Sequence, residues 1–282
     1  MLTRHHANYF DQFGFVVVKE AFTQADIAAL RRAINDTVNG FDPQQHQSIF
    51  TTGDKDRGRD EVFFRSSETV EYFLEEGAVN AEGHLNRSLD KAINKIGHAL
   101  HDHVPGIGAF CQQQQLGQAF HALGLENPQL WQTMVIFKQP DIGGAVRWHQ
   151  DASYLHTQPA SVIGLWIALE DADRNNGCLM VAPGQHRQPL RERYRVDWAT
   201  RQGELETVDR SVSWPEGPGV EVLEVKSGSA VFFSDHLPHA STANRSSRSR
   251  MALTLHAADG RSHWAEENWL QRPNLGPFAL QR

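Results

Sequence analysis

Apolar residues recur at helical spacing near the start of the chain. The stripe consists of Ile27, Leu30, Ile34 and Val38. This spacing fits a helix that turns every 3.6 residues, so it predicts an amphipathic helix over residues 23 to 40. Thr23 can cap the start of this helix, and Gly40 can end it. A short apolar run before the helix predicts a strand over residues 15 to 19.

From Met134 onward, short apolar runs alternate with turn signals. The runs are MVIFKQP, VRWHQDASYL, VIGLWIAL, CLMVAPG, VEVLEV, SAVFF and MALTLHA. Helices followed by strands predict an α+β fold, mainly β, in which the helices pack on a barrel or sandwich. Asn176-Gly177, between two apolar runs, predicts a hairpin turn. Residues 51 to 68 are charged and lack a period for most of their length, so they predict a surface loop.

Charge and length narrow the function classes. The 282 residues include 27 basic and 34 acidic side chains, which gives a formal net charge of −7. This acidic balance argues against nucleic-acid and membrane-surface partners. No linker divides the sequence, so we expect one domain over residues 1–282, with a helical part to about residue 133 and a β core over about 134–260.

Neither secretion nor membrane insertion is expected. The longest apolar run, residues 162 to 169, is far shorter than the roughly 20 residues of a membrane-spanning helix. The first residues lack the apolar core of a signal peptide. Two cysteines, Cys111 and Cys178, are too few for a disulfide framework. These features predict a cytoplasmic protein.

A candidate metal site begins in VRWHQDASYL. His149 and Asp151 are two residues apart, and side chains at i and i+2 of a strand point to the same face. The imidazole and the carboxylate can therefore converge on one ion. A hydrogen-bonded pair is the alternative reading of the same two residues.

A later segment adds a second histidine and an arginine. His239 follows the run SAVFF, and Arg250 comes eleven residues later. Two histidines and one carboxylate leave coordination positions open, which is typical of non-haem Fe(II) oxygenases rather than of four-ligand zinc sites. A guanidinium suits the distal carboxylate of a metal-bound 2-oxo acid. His236 competes as a ligand, but Pro238 and the spacing to Arg250 favour His239.

Several further runs accompany this constellation. They are NGCL at 176–179, PGQH at 183–186, INKIGHALH at 93–101, IFKQP at 136–140, HQDAS at 149–153, GLWIALEDA at 164–172 and ENWLQ at 267–271. In their order and content, they resemble the phytanoyl-CoA dioxygenase family of 2-oxoglutarate oxygenases. The resemblance implies a double-stranded β-helix, the cupin-like jelly roll, with Fe(II), the cosubstrate 2-oxoglutarate and O2. It also implies hydroxylation of a small-molecule C–H bond, with release of succinate and CO2.

The resemblance also implies roles for individual residues. The implied iron ligands are His149, Asp151 and His239. The implied cosubstrate residues are Lys95, Met134, Trp166, Ser241 and Arg250, with Arg250 and Ser241 on the distal carboxylate. Strand parity supports Arg250, because Arg250, Ala252 and Thr254 share one face of MALTLHA.

Lys95 has two interpretations. If residues 85 to 103 form one helix, an apolar stripe is buried and Lys95 points to water. If residues 92 to 96 form a strand, Lys95 can face the interior of the jelly roll. For Trp166, the small neighbours Gly164 and Ala168 leave room for a ligand, while a buried structural tryptophan is the alternative.

Two rival functions use the same residues. One is a non-catalytic module that binds metal and 2-oxoglutarate, and the other is a cupin-like metal hydrolase or isomerase. The arginines at 187, 191, 193 and 195 favour an anionic substrate, although an ordinary solvated loop also explains them. An acyl-CoA is one candidate, without a motif that recognises CoA. The sequence leaves the oligomeric state open.

Overall fold

The computed structural model describes residues 1–42, 48–50, 61–80 and 84–281, with the backbone alone for 48–50. Its helices are α1 (Arg4–Phe13), α2 (Gln24–Asn39), α3 (Glu61–Arg65), α4 (Leu100–His103), α5 (Pro105–Cys111) and α6 (Gln114–Ala122). Its strands are β1 (Phe15–Val18), β2 (Ser48–Phe50), β3 (Val70–Glu75), β4 (Ile93–His98), β5 (Pro128–Lys138), β6 (Val146–His149), β7 (Thr157–Gln158), β8 (Ile163–Ala168), β9 (Leu179–Val181), β10 (Glu192–Asp197), β11 (Gln202–Thr207), β12 (Glu221–Leu223), β13 (Ala230–Ser234), β14 (His239–Ser241), β15 (Arg250–Asp259), β16 (His263–Trp264) and β17 (Phe278–Ala279).

Two sheets form the body of the molecule. The larger sheet has the order β1-β13-β8-β15-β5-β4-β3-β2, with β17 beside β5, and the smaller sheet has the order β12-β9-β14-β6. Strands β10 and β11 form a separate ribbon, as do β7 and β16. The predicted α+β, mainly β jelly roll is confirmed. Over the described ranges, the two sheets stay separate and do not close into a barrel.

Apolar layers cover both faces of the larger sheet. On the outer face, Leu30 and Ile34 of α2 belong to the same cluster as Leu253 and Leu255 of β15. On the inner face, Trp166 belongs to a second cluster, with residues of the smaller sheet. A strand buried on both faces needs apolar residues at successive positions. This burial explains why β8 is a continuous apolar run.

Helix α2 forms as its sequence predicts. The Thr23 hydroxyl accepts a hydrogen bond from the Asp26 backbone N–H at 3.1 Å, and the Asp26 carboxylate accepts one from the Thr23 N–H at 3.0 Å. This reciprocal capping satisfies donors that the first helical turn leaves without partners. The four residues of the predicted stripe are all buried. The strand predicted before it is β1, which pairs with β13.

The hairpin predicted at Asn176-Gly177 is wrong. Strand β8 before it lies in the larger sheet, and strand β9 after it lies in the smaller one. Gly177 does adopt a positive φ of 82°, but it lies in a turn that crosses between the sheets. The residue pair is a local signal for positive φ, and it does not specify which strands pair.

The loop predicted over residues 51 to 68 is wrong at its end, where α3 forms. Residues 51–60 lie outside the described ranges. Phe64 of α3 is 7% exposed, and its ring contacts that of Trp198 with centroids 5.3 Å apart. This distant aromatic partner stabilises a helical turn that the surrounding charged sequence does not indicate.

Lys95 lies on a strand, so the continuous helix over 85 to 103 is wrong. Strand β4 pairs with β3 on one side and with β5 on the other. All six of its residues are buried, and helix α4 begins only at Leu100. Pairing on two sides outweighs the weak local preference for a helix.

The end of β15 is fixed by a carboxylate. Asp259 is 5% exposed and accepts hydrogen bonds from the Glu126 N–H at 2.7 Å and from the Arg261 side chain at 3.0 Å. The Arg261 side chain lowers the pKa of Asp259 from 3.8 to about 2, with the backbone N–H groups of Arg261 and Glu126 adding to the effect.

Across the described ranges, no helix is both long and apolar enough to cross a bilayer.

Replacing Asp259 with asparagine is expected to lower the free energy of unfolding at pH 7 by about 1 kcal/mol, a figure that allows for solvent around Arg261. Because the folded-state pKa is depressed, this stabilisation is complete above about pH 4 and is lost as the pH falls toward 2. Urea unfolding of both proteins at pH 7, 5 and 3.5 measures the difference. A difference that stays constant or grows below pH 4 would contradict this assignment.

Candidate metal centre and adjoining cavity

Strand pairing brings two histidines together. His149 ends β6 and His239 begins β14, and the two residues are direct partners in the antiparallel pair. Directly opposed residues of such a pair have side chains on the same face. The two imidazole centroids are 4.1 Å apart. The juxtaposition therefore follows from the register of two strands ninety residues apart in sequence.

Asp151 joins the histidines from a turn. The expectation that His149 and Asp151 share a strand face is wrong, because β6 ends at His149 and Asp151 begins a 3-10 turn. The turn nevertheless points the carboxylate at the imidazoles. Asp151 Oδ1 lies 3.7 Å from Nε2 of His149 and 3.7 Å from Nε2 of His239. One ligand atom from each of the three residues lies within 4.8 Å of the other two.

Backbone carbonyls set the tautomer of both histidines. His149 Nδ1 donates to the Arg147 carbonyl at 2.9 Å, and His239 Nδ1 donates to the Leu237 carbonyl at 3.0 Å. Since a carbonyl only accepts, each ring carries its proton on Nδ1 and presents the Nε2 lone pair. This arrangement is how proteins orient histidines that bind metals. The donor set thus fits a divalent ion such as Fe(II).

The carboxylate of Asp151 is ionised. Burial raises its pKa, but the imidazoles of His256, His239 and His149 lower it further, and the net result is a pKa below the usual value of 3.8. A buried anion beside two imidazole nitrogens supplies the negative charge that a divalent cation requires. These charges favour a metal at the point where the three side chains converge.

Gln150 connects the two segments that carry the ligands. It is fully buried, its Nε2 donates to the His236 carbonyl at 2.8 Å, and its Oε1 accepts from the Arg191 N–H at 3.0 Å. The residue between His149 and Asp151 is therefore tied to the turn that precedes His239. This connection restricts movement of the ligand segments relative to each other.

A cavity of about 160 Å³ opens beside the metal centre. Its walls are mainly apolar and include the aromatic residues Phe63, Tyr154, Tyr194 and Trp269, and the rings of Phe63 and Trp269 stack with centroids 4.2 Å apart. His149 and Asp151 also line it. A half-open cavity with a mainly apolar lining limits the contact of the metal with bulk water and accepts a small apolar group.

Lys95 and Met134 are walls of this cavity. Lys95 on β4 is opposite Ile136 of β5, and Met134 is opposite the neighbouring Gly97, so both side chains lie on the inner face. The Lys95 ammonium lies 4.7 Å from the centroid of the Phe73 ring. A cation is therefore held over an aromatic face at the edge of the cavity.

Arg250 lies deeper in the jelly roll. It is 2% exposed, its Nε donates to the Gly177 carbonyl at 3.2 Å, and its Nη1 has no hydrogen-bond partner within the described chain. Burial lowers its pKa to about 10, so it stays charged at neutral pH. It lines a second cavity of about 210 Å³, and Lys138, its direct partner on β5, is a wall of both cavities. A buried guanidinium with an unused donor suits a carboxylate ligand.

Trp166 and Ser241 are buried near Arg250 and the metal centre. Trp166 is 3% exposed, and the Arg250 guanidinium lies 5.6 Å from the centroid of its ring. Ser241 is 4% exposed and lies on β14, two residues after His239. The space predicted beside Trp166 is filled, since a Cβ at Gly164 would come within 2.4 Å of the Phe233 ring. Gly164 accommodates a side chain there, not a ligand.

The four arginines between 187 and 195 do not line the cavity beside the metal centre. Arg187 donates to the Asp11 carbonyl at 2.8 Å, Arg191 to Gln185 at 2.8 Å, and Arg193 to Asn268 at 3.2 Å. Arg195 pairs with Glu206 on the neighbouring strand β11. Arg193 and Arg195 hold the β10–β11 ribbon in place, whereas Arg187 and Arg191 bond to residues outside it. The ribbon contributes Tyr194 to the cavity wall instead.

Sequence reasoning missed two buried residues of the site. Lys138 is 1% exposed and donates to the Gly144 carbonyl at 2.5 Å, and His256 is 5% exposed and contacts Asp151. Extending the alternation of Arg250 and Thr254 by two residues would have found His256. Nothing in the run IFKQP marks Lys138 as an inward-facing residue.

The chain is similar to known proteins over most of its length. The phytanoyl-CoA dioxygenase (PhyH) family matches residues 10–252. Phytanoyl-CoA dioxygenase 1 of Oryza sativa subsp. japonica is 37% identical over 273 residues, which cover 96% of this chain and 94% of the rice protein. The phytanoyl-CoA dioxygenase domain-containing protein 1 homolog of Caenorhabditis elegans is 35% identical over 268 residues, or 93% of each chain.

A solved structure has the same fold. The epimerase SnoN, in complex with Fe3+, alpha ketoglutarate and nogalamycin RO, matches with a TM-score of 0.64 and 14% identity, over 99% of this chain and 93% of that chain. A jelly roll with two histidines and one carboxylate beside a cavity defines the class of non-haem iron oxygenases. The chain belongs to the phytanoyl-CoA dioxygenase family. The predicted enzyme class, a dioxygenase and therefore an oxidoreductase, is thereby confirmed.

Proposed function

We propose that this chain is an Fe(II)- and 2-oxoglutarate-dependent dioxygenase that hydroxylates a C–H bond of a small molecule. The observation that carries the proposal is the convergence of Nε2 of His149, Oδ1 of Asp151 and Nε2 of His239 beside a mainly apolar cavity. Three protein ligands leave positions for a bidentate 2-oxo acid and for O2. A carboxylate at 151 fills the coordination position that a halide would need, which favours hydroxylation over halogenation.

The chemistry divides between the metal and the chain. When bound, iron supplies the oxidative decarboxylation of 2-oxoglutarate to succinate and CO2 and the oxidation of the C–H bond. The chain fixes the three ligands, and its aromatic walls keep water away from them. Arg250 holds the distal carboxylate of 2-oxoglutarate, and the Ser241 hydroxyl is its second donor. Met134 and Trp166 are walls of the cosubstrate site.

The cavity walls indicate the kind of substrate. Apolar side chains, several of them aromatic, form most of the wall area, and Lys95 and Arg147 add positive charge. Arg147 donates to Glu192 at 3.0 Å and to the Tyr154 hydroxyl at 3.2 Å, which fixes its position at the wall. A small molecule with an apolar body and an anionic group fits these walls, and an acyl-CoA is one member of that class. A cytoplasmic location, with Cys111 and Cys178 buried as thiols, completes the proposal.

Turnover of 2-oxoglutarate tests the proposal against its rivals. We expect Fe(II)-dependent O2 uptake and succinate formation, stimulated by one member of a panel of small anionic metabolites, and a product that gains one oxygen atom by mass spectrometry. Binding of 2-oxoglutarate without succinate would indicate a non-catalytic module. Conversion of a metabolite without 2-oxoglutarate would indicate a hydrolase or isomerase. Succinate without added oxygen would overturn hydroxylation.

Replacing Lys95 with methionine is expected to raise the KM for 2-oxoglutarate about fivefold, the equivalent of about 1 kcal/mol for one partly solvated charge contact. Methionine keeps the apolar stem of lysine and removes the charge. Lys226→Met is the matched control, because the Lys226 side chain is 85% exposed and pairs with Asp171. If the KM for 2-oxoglutarate is unchanged and the KM for the substrate is raised, Lys95 contacts the substrate and not the cosubstrate.

A further inference from the structure

Asp151 uses its two oxygens differently. Oδ1 faces the imidazoles of His149 and His239, at 3.7 Å from each Nε2. Oδ2 points the other way and lies 3.0 Å from Nε2 of His256. Among the described residues, the group that could hold a metal ion consists of His149, Asp151 and His239, and His256 is not a member of it. His256 therefore contacts the carboxylate without being one of the converging ligands.

We propose that His256 is a positioning residue that holds Asp151 as a one-oxygen metal ligand. This inference rests on the proposed function, because it matters only if 2-oxoglutarate and O2 need the remaining coordination positions. A carboxylate can bind a metal through one oxygen or through both. A hydrogen bond to Oδ2 keeps that oxygen away from the metal and leaves those positions open.

The protonation of His256 follows from its surroundings. Its Nδ1 is buried without a hydrogen-bond partner among the described residues. A proton on that nitrogen would leave a buried N–H group unsatisfied, which is costly. Nε2 is therefore the ring nitrogen that donates a hydrogen bond to the carboxylate, at 3.0 Å from Oδ2. A hydrogen bond from an N–H group to an ionised carboxylate is charge-assisted and stronger than one between neutral groups.

The backbone gives His256 little freedom to move away. Strand β15 lies between β5 and β8, and His256 pairs with Gln132 on one side and with Gly164 on the other. The side chain is 5% exposed. A donor on a central strand is rigid, whereas Asp151 lies in a turn. The strand thus supplies the fixed point, and the turn supplies the ligand.

Three substitutions separate hydrogen bonding from packing. His256→Phe removes the donor and keeps a ring. His256→Asn is polar but too short to reach Oδ2, whereas the His256→Gln amide can carry its N–H where Nε2 lies now. The control is His101→Phe: His101 is 2% exposed, its Nδ1 is bonded to Thr133 Oγ1 at 2.9 Å, and it does not line the cavity beside the metal centre.

Anaerobic Fe(II) titration and the charge-transfer absorption of the Fe(II) and 2-oxoglutarate complex are the readouts, with melting temperature as a check on folding. We expect His256→Phe and His256→Asn to weaken Fe(II) binding about 10- to 100-fold and to shift the absorption band. His256→Gln should restore binding to within about threefold of the original protein, and His101→Phe should stay within that range.

Two results would overturn the inference. One is unchanged Fe(II) affinity and absorption in both His256→Phe and His256→Asn. The other is a loss in His256→Gln equal to that in His256→Asn, which would indicate packing. If His256→Phe does not fold, the comparison of Asn with Gln still decides. Failure of the original protein to bind Fe(II) with 2-oxoglutarate would instead refute the proposed function.

Discussion

Replacing Asp151 with alanine is expected to abolish succinate formation and to weaken Fe(II) binding by more than about 100-fold. Loss of a residue that only supports a ligand already costs about 10- to 100-fold in metal affinity, and removing the ligand costs more. Asp151 is also the anionic member of the set, since the other two members are imidazoles, each with Nδ1 bonded to a backbone carbonyl. Its removal leaves the cation without a charge partner.

The control for this variant removes one carboxylate far from the metal centre. Asp197 is exposed, and its carboxylate accepts from the Ala199 N–H at 2.9 Å. Asp197→Asn should bind Fe(II) and turn over 2-oxoglutarate like the original protein. Both variants are compared by anaerobic Fe(II) titration and by succinate yield. Normal succinate production by Asp151→Ala, or tight iron binding that survives the change, would refute the ligand assignment.

Replacing Arg250 with alanine is expected to raise the dissociation constant of 2-oxoglutarate by roughly 30-fold or more. Removing one member of a buried charge pair costs about 2–5 kcal/mol, and 1.4 kcal/mol corresponds to tenfold. Arg250 is 2% exposed and has an unused donor. In contrast, the Arg248 side chain is 56% exposed and pairs with Asp173. Arg248→Ala should change the constant by less than about threefold.

The cosubstrate itself offers a sharper control. A 2-oxo acid that lacks the distal carboxylate, such as 2-oxobutyrate, should bind the Arg250→Ala variant and the original protein with similar affinity. Arg250→Lys should bind 2-oxoglutarate with intermediate affinity, since it keeps the charge and loses the planar fork. Anaerobic titrations with Fe(II) give each constant. If Arg248→Ala has the larger effect, or if 2-oxobutyrate loses as much affinity as 2-oxoglutarate, the anchor assignment is wrong.

Several elements could be predicted because their signals are local. The stripe and the caps of α2 lie within one continuous segment, and the structure contains the predicted helix with its capping box. The alternation in MALTLHA also survives folding, with Leu253 and Leu255 toward the helices and Ala252 toward the smaller sheet. Period-two alternation depends only on the extended backbone, so it needs no knowledge of the strand's neighbours.

Other expectations failed where a distant partner decides the local conformation. Phe64 becomes helical against Trp198, and Lys95 lies on a strand because β3 and β5 flank it. The turn at Asn176-Gly177 joins two sheets rather than two paired strands. In each case the deciding contact is with a segment that is distant in sequence. A pattern found within a short stretch of neighbouring residues cannot identify such a contact.

The sequence by itself determined the chemistry that the protein carries: two histidines and a carboxylate in a recognisable order, an arginine at a strand end, and a family resemblance that spans most of the chain. Only the tertiary structure decided how those groups meet. It placed His149 opposite His239 in paired strands, directed the Asp151 side chain toward them from a turn, and brought His256 within hydrogen-bonding distance of the second Asp151 oxygen. The physical reason is that residue type and backbone period can be recognised within a short stretch of sequence, whereas strand register and burial are set by packing among segments far apart in the chain.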